Sequence, residues 1–333
     1  MPHDGPILVA GFGSIGRRHC RNLLALGSRD VVVYRTGLGT LELDPEMAGL
    51  PVVSDLDEAL DRRPRAVVVS NPTSLHVPVA LRAAEAGCDL LIEKPLWHSL
   101  DGVKELEDAV ARREVQVLMG FQFRFHPVLR QVRALVASGR IGSVVSAHAH
   151  WGEYLPSWHP WEPYRTGYSA RPDLGGGAIL TLSHPLDYLR WIVGEVASVQ
   201  AMVPDVHPLG LEVEESATMA LRFEKGATGG VHVDYLEAPA NHWMAIRGDR
   251  GTVHWSAGDG VARVEGPDGD AETIAPPGGF ERNSMFLAEM EHFLGVIGRR
   301  EKPVCTLQDG VRALEIALAA KEAARKGREV GVG

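Results

Sequence analysis

A lysine stands where this chain habitually uses arginine. The 333 residues hold 28 Arg and 6 Lys, and the first lysine, Lys94, falls in Glu93-Lys94-Pro95, directly after the apolar run 90–92. Open α/β sheets bind ligands in the crevice beyond their strand C-termini. An ammonium placed there is a compact, tunable charge that can polarise an oxygen and pass a proton, which a guanidinium cannot do. The run Gly11-Phe12-Gly13-Ser14-Ile15-Gly16 carries a second chemistry, because it follows the apolar run 7–10 and opens a segment of helical period. There the first glycine permits a tight turn, the second lets backbone approach a pyrophosphate, and the third lets helix and strand pack closely. The helix N-terminus adds a partial positive charge for the phosphates. A dinucleotide is the expected ligand.

Which dinucleotide depends on residues about 20 positions further on. A carboxylate at the end of the second strand would grip the ribose hydroxyls of NAD, but Tyr34, Arg35 and Thr36 stand there and Asp30 precedes the strand. The Arg35 fork and the Thr36 hydroxyl suit a 2′-phosphate, so NADP is expected ahead of NAD.

A frame must hold these groups. From Gly5 to about Phe121, short β-branched runs alternate with helix-period segments, the pattern of parallel β-α-β units. Strands are expected at 7–10, 31–34, 51–53, 66–70, 90–92 and 115–119, nearly all apolar and so covered on both faces. Helices are expected at 14–26, 56–62, 75–86 and 100–113, the second capped by Asp55 and the last by Ser99. After Phe121 the rhythm changes to a helix at 127–137 and longer alternating segments at 144–154, 213–223, 227–236, 243–248 and 252–256. A helical stretch at 177–193 and helices at 282–298 and 307–326 complete the pattern. The fold class is α/β: a doubly wound Rossmann domain over residues 1–122, then an α+β domain over 123–333 with a large, open, mainly antiparallel sheet. The last helix can pack back on the first domain. Pro276-Pro277-Gly278-Gly279 reads as a turn, not a linker.

Together with Gly175-Gly176-Gly177 and Ser183-His184-Pro185-Leu186-Asp187, the glycine turn and Glu93-Lys94-Pro95 resemble the Gfo/Idh/MocA oxidoreductases over nearly the whole chain. The resemblance implies that Lys94 and His184 flank the substrate carbon facing the nicotinamide, and that the peptide before Pro95 is cis. It implies reversible hydride transfer between NAD(P) and a hydroxyl or keto carbon of a sugar, cyclitol or nucleotide-sugar derivative. His184 would then be general base or acid and Lys94 would polarise the oxygen, or the reverse. It further implies that the loop of Asn71, Pro72 and Thr73 borders the cofactor, with Glu93 and Lys94 beside it. His76 has two readings, a cofactor contact and a helix residue packing locally. The family's commoner pattern sets an aspartate four residues and a histidine eight residues after the triple glycine; here Thr181 is fourth and His184 seventh. Thr181 and Asp187 each lie three residues from His184, so on one continuous helix either could support its imidazole. The missing carboxylate leaves two other family activities open. One is a glycosidase or eliminase using tightly bound NAD(P) through transient oxidation, and the other is a non-catalytic dinucleotide-binding sensor.

Substrate contacts are expected from Gln122 and Arg124, where the chain leaves the sixth strand. Arg124 is the candidate for a bidentate contact to carboxylate, phosphate or vicinal hydroxyls, with an interdomain salt bridge as its competing role. Residues 151–171 concentrate three of the seven Trp and three of the six Tyr. Within them Trp158, His159, Tyr164, Arg165 and Tyr168 are candidate contacts to a sugar ring or a bulky charged substrate, an oligomer contact being the other reading. His148 and His150 share a strand face, but no third ligand stands at a helpful spacing, so no metal is expected.

Bulk composition narrows the field. With 34 Lys plus Arg against 43 Asp plus Glu, the net charge of −9 offers no field for nucleic acid. Cys20, Cys88 and Cys305 make neither a disulfide framework nor a Cys-x-x-Cys site. No apolar run approaches a membrane span and the N-terminus shows no leader pattern, so a cytoplasmic protein without a membrane partner is expected. A homodimer or homotetramer is expected, through an apolar face of the open sheet bearing Val231, Val233 and Tyr235.

Overall fold

The computed structural model describes residues 5–37, 47 and 49–333. The chain divides into two units, one of the residues up to Gln122 with Glu281–Val311, the other of Phe123–Phe280 with Arg312–Gly333.

In the first unit the apolar runs form β1 (Ile7–Ala10), β2 (Val31–Tyr34), β3 (Val52–Val53), β4 (Ala66–Val69), β5 (Asp89–Glu93) and β6 (Val117–Gly120). All pair in parallel, in the order β3-β2-β1-β4-β5-β6. The order reverses at β1, so a crevice opens beyond the C-termini of β1 and β4. The crossovers carry α1 (Ser14–Ala25), α2 (Leu56–Asp61), α3 (His76–Glu85) and α4 (Val103–Arg113). Asp55 caps α2 by accepting the N–H groups of Asp57 and Glu58. Ser99 does not cap α4: the N-cap is Gly102 at φ 78°, a left-handed position that favours glycine, and Ser99 instead accepts from the Asp101 N–H.

The second unit begins with α5 (Pro127–Ala137) and β7 (Val144–Gly152), then α6 (Ala178–Thr181) and α7 (His184–Val193). Strands β8 (Val196–Met202), β9 (Ser216–Phe223), β10 (Thr228–Asp234), β11 (Asn241–Gly248), β12 (Thr252–Ser256), β13 (Ala262–Glu265), β14 (Ala271–Ile274) and β15 (Val330–Gly331) follow. They form one nine-stranded sheet, β14-β13-β12-β11-β7-β10-β9-β8-β15, antiparallel except where β7 meets β10. The last helices, α8 (Arg282–Ile297) and α9 (Leu307–Lys326), are separated by the division: α8 and the head of α9 belong to the first unit. None of the described helices is long and apolar enough to cross a membrane.

The large sheet is buried on one side only. Along β9, Ala217, Met219, Leu221 and Phe223 are buried while Thr218, Ala220 and Arg222 are exposed. Val231, Val233 and Tyr235 lie on the covered side, at most 1% exposed, so they are core rather than a free apolar face. The open face instead carries a cross-strand row of Met202, Thr218, His232, His150 and Trp243. His150 stacks between His232 and Trp243, with ring centroids 5.2 and 5.8 Å away.

Two further expectations change. The stretch 177–193 is broken at Leu182 and Ser183, so Thr181 ends one helix and His184 starts the next rather than sharing a face with it. Arg124 and Asp187 are both buried and form a bidentate pair, with Nη2 2.6 Å from Oδ1 and Nε 3.0 Å from Oδ2. The fork is therefore engaged by a carboxylate of its own unit, and Asp187 has a buried guanidinium as counter-ion. Asp187→Leu should strand the buried guanidinium and lower unfolding free energy by about 3–5 kcal/mol in urea titration. Arg124→Met with Asp187→Leu should recover most of that loss; a double variant as unstable as the single one would contradict the pair's role.

Candidate active site

The first unit builds a dinucleotide cradle from three strand ends. Past β1, a Cβ on Gly11 would lie 2.4 Å from the Asn71 nitrogen, and one on Gly16 would lie 2.1 Å from the Gly11 carbonyl oxygen. Only glycine allows both approaches. A Cβ on Gly13 would meet nothing within 4 Å, and no side chain caps the head of α1. The first amides of a twelve-residue helix thus face open space, the arrangement that receives a phosphate. Ser70 Oγ donates within the same turn, lying 3.2 Å from the Ala10 and 3.1 Å from the Gly11 carbonyl oxygens.

Asn71 and Pro72 follow β4, and Thr73 opens the short turn Thr73–Leu75. Asn71 Nδ2 donates to the Leu75 carbonyl while its Oδ1 is buried with no partner among the described residues. An orphaned acceptor of this kind suits a ribose hydroxyl. Arg35 and Thr36 leave the end of β2, where the Gly11 N–H donates to the Tyr34 carbonyl at 3.0 Å. The adenosine side of the cradle therefore ends in a guanidinium and a hydroxyl, with no carboxylate at those positions. These residues fit a nicotinamide dinucleotide.

Beyond β5 the Lys94-Pro95 peptide is cis and Lys94 is half-buried. His76 settles its two readings: Nδ1 lies 2.8 Å from the Pro95 carbonyl and Nε2 2.8 Å from that of Asn71. Its ring ties the lysine turn to the asparagine turn, so it acts on the site through them. Burial above all lowers its pKa, partly offset by those carbonyls and by Glu93. Glu93 is also engaged internally, accepting from His19 Nε2 at 2.8 Å and from the Lys94 N–H at 3.2 Å. It faces the interior of the unit, contrary to a direct cofactor contact.

The second unit supplies His184 at the first position of α7, 1% exposed. Trp151 stacks on its ring at 5.3 Å and Phe123 meets it edge-on at 4.9 Å. The triple glycine allows the preceding loop to lie against it: a Cβ on Gly176 would stand 2.5 Å from the Tyr168 carbonyl oxygen. Thr181 is buried at the end of α6, and the Tyr235 hydroxyl donates to the Ser169 carbonyl at 3.1 Å. Ser183 Oγ, next to His184, is buried with no partner among the described residues. The motif that contains Ser183 and the aromatic segment that begins at Trp151 give neither residue a site role, although Ala147, Ala149 and Trp151 alternate on the buried face of β7.

The aromatic loop is a chain of tight turns rather than a strand or helix. Tyr164 donates its hydroxyl to the Leu209 carbonyl and Arg165 its guanidinium to that of Gly210, so both serve the loop itself. Tyr168 is half-buried. Trp158 meets Tyr235 edge-on, and its Nε1, like His159 Nδ1, has no partner among the described residues. Trp158, Tyr154, Glu153 and Glu237 border an open groove of about 190 Å³. Gln122, at the end of the first unit, is buried. His150, Asp234 and Glu237 present ligand-type atoms within 4.8 Å of one another, with His150 Nε2 paired to Glu237.

A family model described as "Oxidoreductase family, NAD-binding Rossmann fold" matches residues 6–121, and one described as "GFO/IDH/MocA C-terminal domain" matches 129–254. A 1,5-anhydro-D-fructose reductase of Ensifer adhaerens is 28% identical, covering 79% of this chain and 78% of its own. The scyllo-inositol 2-dehydrogenase (NAD(+)) of Bacillus subtilis is 26% identical, over 99% and 97%. A solved levoglucosan dehydrogenase in complex with NADH superposes with a TM-score of 0.86 at 21% identity, over 98% and 99% of the two chains. A Rossmann cradle with an open helix head, a cis Lys94-Pro95 turn and a triple glycine leading to His184 accord with these matches, and the chain belongs to the Gfo/Idh/MocA family of NAD-binding oxidoreductases.

Proposed function

We propose that this chain is an NAD(P)-dependent dehydrogenase or reductase acting on a hydroxyl-bearing carbon of a sugar, cyclitol or nucleotide-sugar derivative. The observation that carries the reading is that the half-buried Lys94 follows β5, next in the sheet to β4 with its orphaned Asn71 acceptor. A proton-active amine thus shares a strand-end crevice with the phosphate-receiving head of α1. The bound nicotinamide supplies hydride acceptance or donation. Lys94 polarises the substrate oxygen and stabilises its developing negative charge. His184 takes or returns the hydroxyl proton, its ring held by Trp151 and Phe123. Thr181, buried as the last residue of α6, maintains the turn before His184. Trp158, His159 and Tyr168 are the substrate-facing part of the aromatic loop.

The finer cofactor choice is NADP. Arg35 and Thr36 offer a fork and a hydroxyl to a 2′-phosphate, where NAD would want a carboxylate. The protein works in the cytoplasm: Cys20, Cys88 and Cys305 are all buried and unpaired by disulfide. It assembles as a homodimer or homotetramer through the open face of the large sheet, where the row around His150 and Trp243 is flat and aromatic.

Lys94→Met should leave the cofactor dissociation constant within about twofold while lowering kcat about 10²- to 10⁴-fold across a panel of sugars, cyclitols and nucleotide sugars. Undiminished kcat in that variant would remove Lys94 from the mechanism, and turnover without free NAD(P)H would point to a resident cofactor. Arg35→Asp should shift the NADPH-over-NADH ratio of kcat/KM about 10- to 100-fold toward NADH. A wild-type enzyme that already prefers NADH tenfold would overturn the NADP assignment.

A further inference from the structure

Behind the Lys94 turn lies a dry cluster that the chemistry above does not use. His19 of α1, Glu93 of β5 and Glu289 of α8 are 0%, 5% and 0% exposed, and one polar atom from each lies within 4.8 Å of the other two. Glu93 is supplied with donors, His19 Nε2 on Oε1 and the Lys94 N–H on Oε2. Glu289 is not: both of its oxygens are buried without a partner among the described residues, as is His19 Nδ1. Room for the cluster is made by Gly120 of β6, where a Cβ would stand 3.1 Å from the Glu93 carboxyl.

Two ionised carboxylates this close in a low-dielectric interior repel strongly, and one proton shared between them removes the conflict. The surrounding charges do not supply an alternative at Glu289. Arg18 of α1 lies over the Phe286 ring at 4.4 Å and feels Glu93, Arg21 and Arg282. On α8, one turn beyond Glu289, His292 pairs with Glu301. His76 of α3 feels both Glu93 and Lys94.

We infer that Glu289 donates a carboxylic proton to the Glu93 carboxylate, and that Glu289 and His19 are thereby positioning residues that hold Glu93 against the Lys94 main chain. No bond is made or broken: the O–H stays on Glu289, and Glu93 accepts from Glu289, His19 and the Lys94 N–H. With His76 Nδ1 on the Pro95 carbonyl, the lysine turn is gripped from both sides. Burial first, and then the Glu93 charge, hold the Glu289 carboxyl well above the usual carboxylate range. This inference rests on the proposed role of Lys94.

The test compares Glu289→Gln, which can still donate to Glu93, with Glu289→Leu, which cannot. Infrared difference spectra of the wild type at neutral pH should show the carbonyl stretch of an un-ionised carboxylic acid, absent in Glu289→Gln. Because the folded pKa is raised, the stability contributed by the protonated carboxyl is fully present below the unfolded-state value and is lost progressively as pH rises from there through the raised folded value. Wild-type Tm should therefore fall more steeply with rising pH between those two values than that of Glu289→Gln. In kinetics, Glu289→Gln should keep kcat within about threefold, whereas Glu289→Leu should lose about 10- to 100-fold in kcat with an unchanged cofactor dissociation constant. A missing infrared band, equal kinetic losses in both variants, or a stoichiometric metal ion in the purified protein overturns the inference. Full activity of Lys94→Met overturns the lysine's role instead, and leaves the infrared and Tm results standing as evidence for the shared proton alone.

Discussion

Backbone meeting backbone at the crevice is the constraint on which the cofactor half of the molecule rests. The Gly16 position comes so near the Gly11 carbonyl, and Gly11 so near Asn71, that no side chain fits at either. Each contact fixes a different distance. The first sets how tightly α1 closes on β1, and the second sets how near the β4 turn stands to the glycine turn. With those distances set, the helix head points its unmet amides outward and Asn71 is left with an unmet acceptor.

The second unit solves its positioning problem by aromatic packing rather than by close backbone approach alone. His184 sits between a stacked indole and an edge-on phenyl ring, and Trp151 in turn stacks on His242 at 4.3 Å. Such a ring has little freedom to rotate, which suits a group that must meet a proton at one place. The one strong buried charge nearby in sequence, Asp187, is neutralised by Arg124. The histidine is therefore framed by an indole, a phenyl ring and the start of a new helix.

The Rossmann half was legible because its signals are local. Apolar runs of four residues, a glycine turn at a strand end and an Asp N-cap each report structure within a few residues. The α+β class was legible from period-two segments, yet β8, β13, β14 and β15 went unseen. Of these, β13, β14 and β15 are short, β14 and β15 lie at the edges of the sheet, and β15 pairs Val330 with Val199, far away in sequence. The side of the sheet that is buried could not be read either. Val231 and Val233 alternate whichever face is covered, and only helices packed from elsewhere decide it. For the same reason Arg124 looked like a ligand fork: its partner is 63 residues away. The Glu93 and Glu289 neighbourhood lies still further beyond local pattern, since α8 returns to the first unit only after eight strands of the second sheet have been traversed.

The lone parallel contact in the large sheet has a consequence for how the chain acquires its shape. Strand β7 is made early, but both of its neighbours, β10 and β11, come only after residues 153–227. Those intervening residues carry the aromatic loop, the triple glycine, α6, α7, β8 and β9. Closing so long a loop must precede any reward from pairing, and this places the second unit among slow, high-contact-order folders. On a ribosome, β7 would wait with both edges unpaired while the His184 segment emerges. The buried seat of that histidine is thus completed only when β10 and β11 arrive, and the unit that carries it matures after all six strands of the first unit have been made.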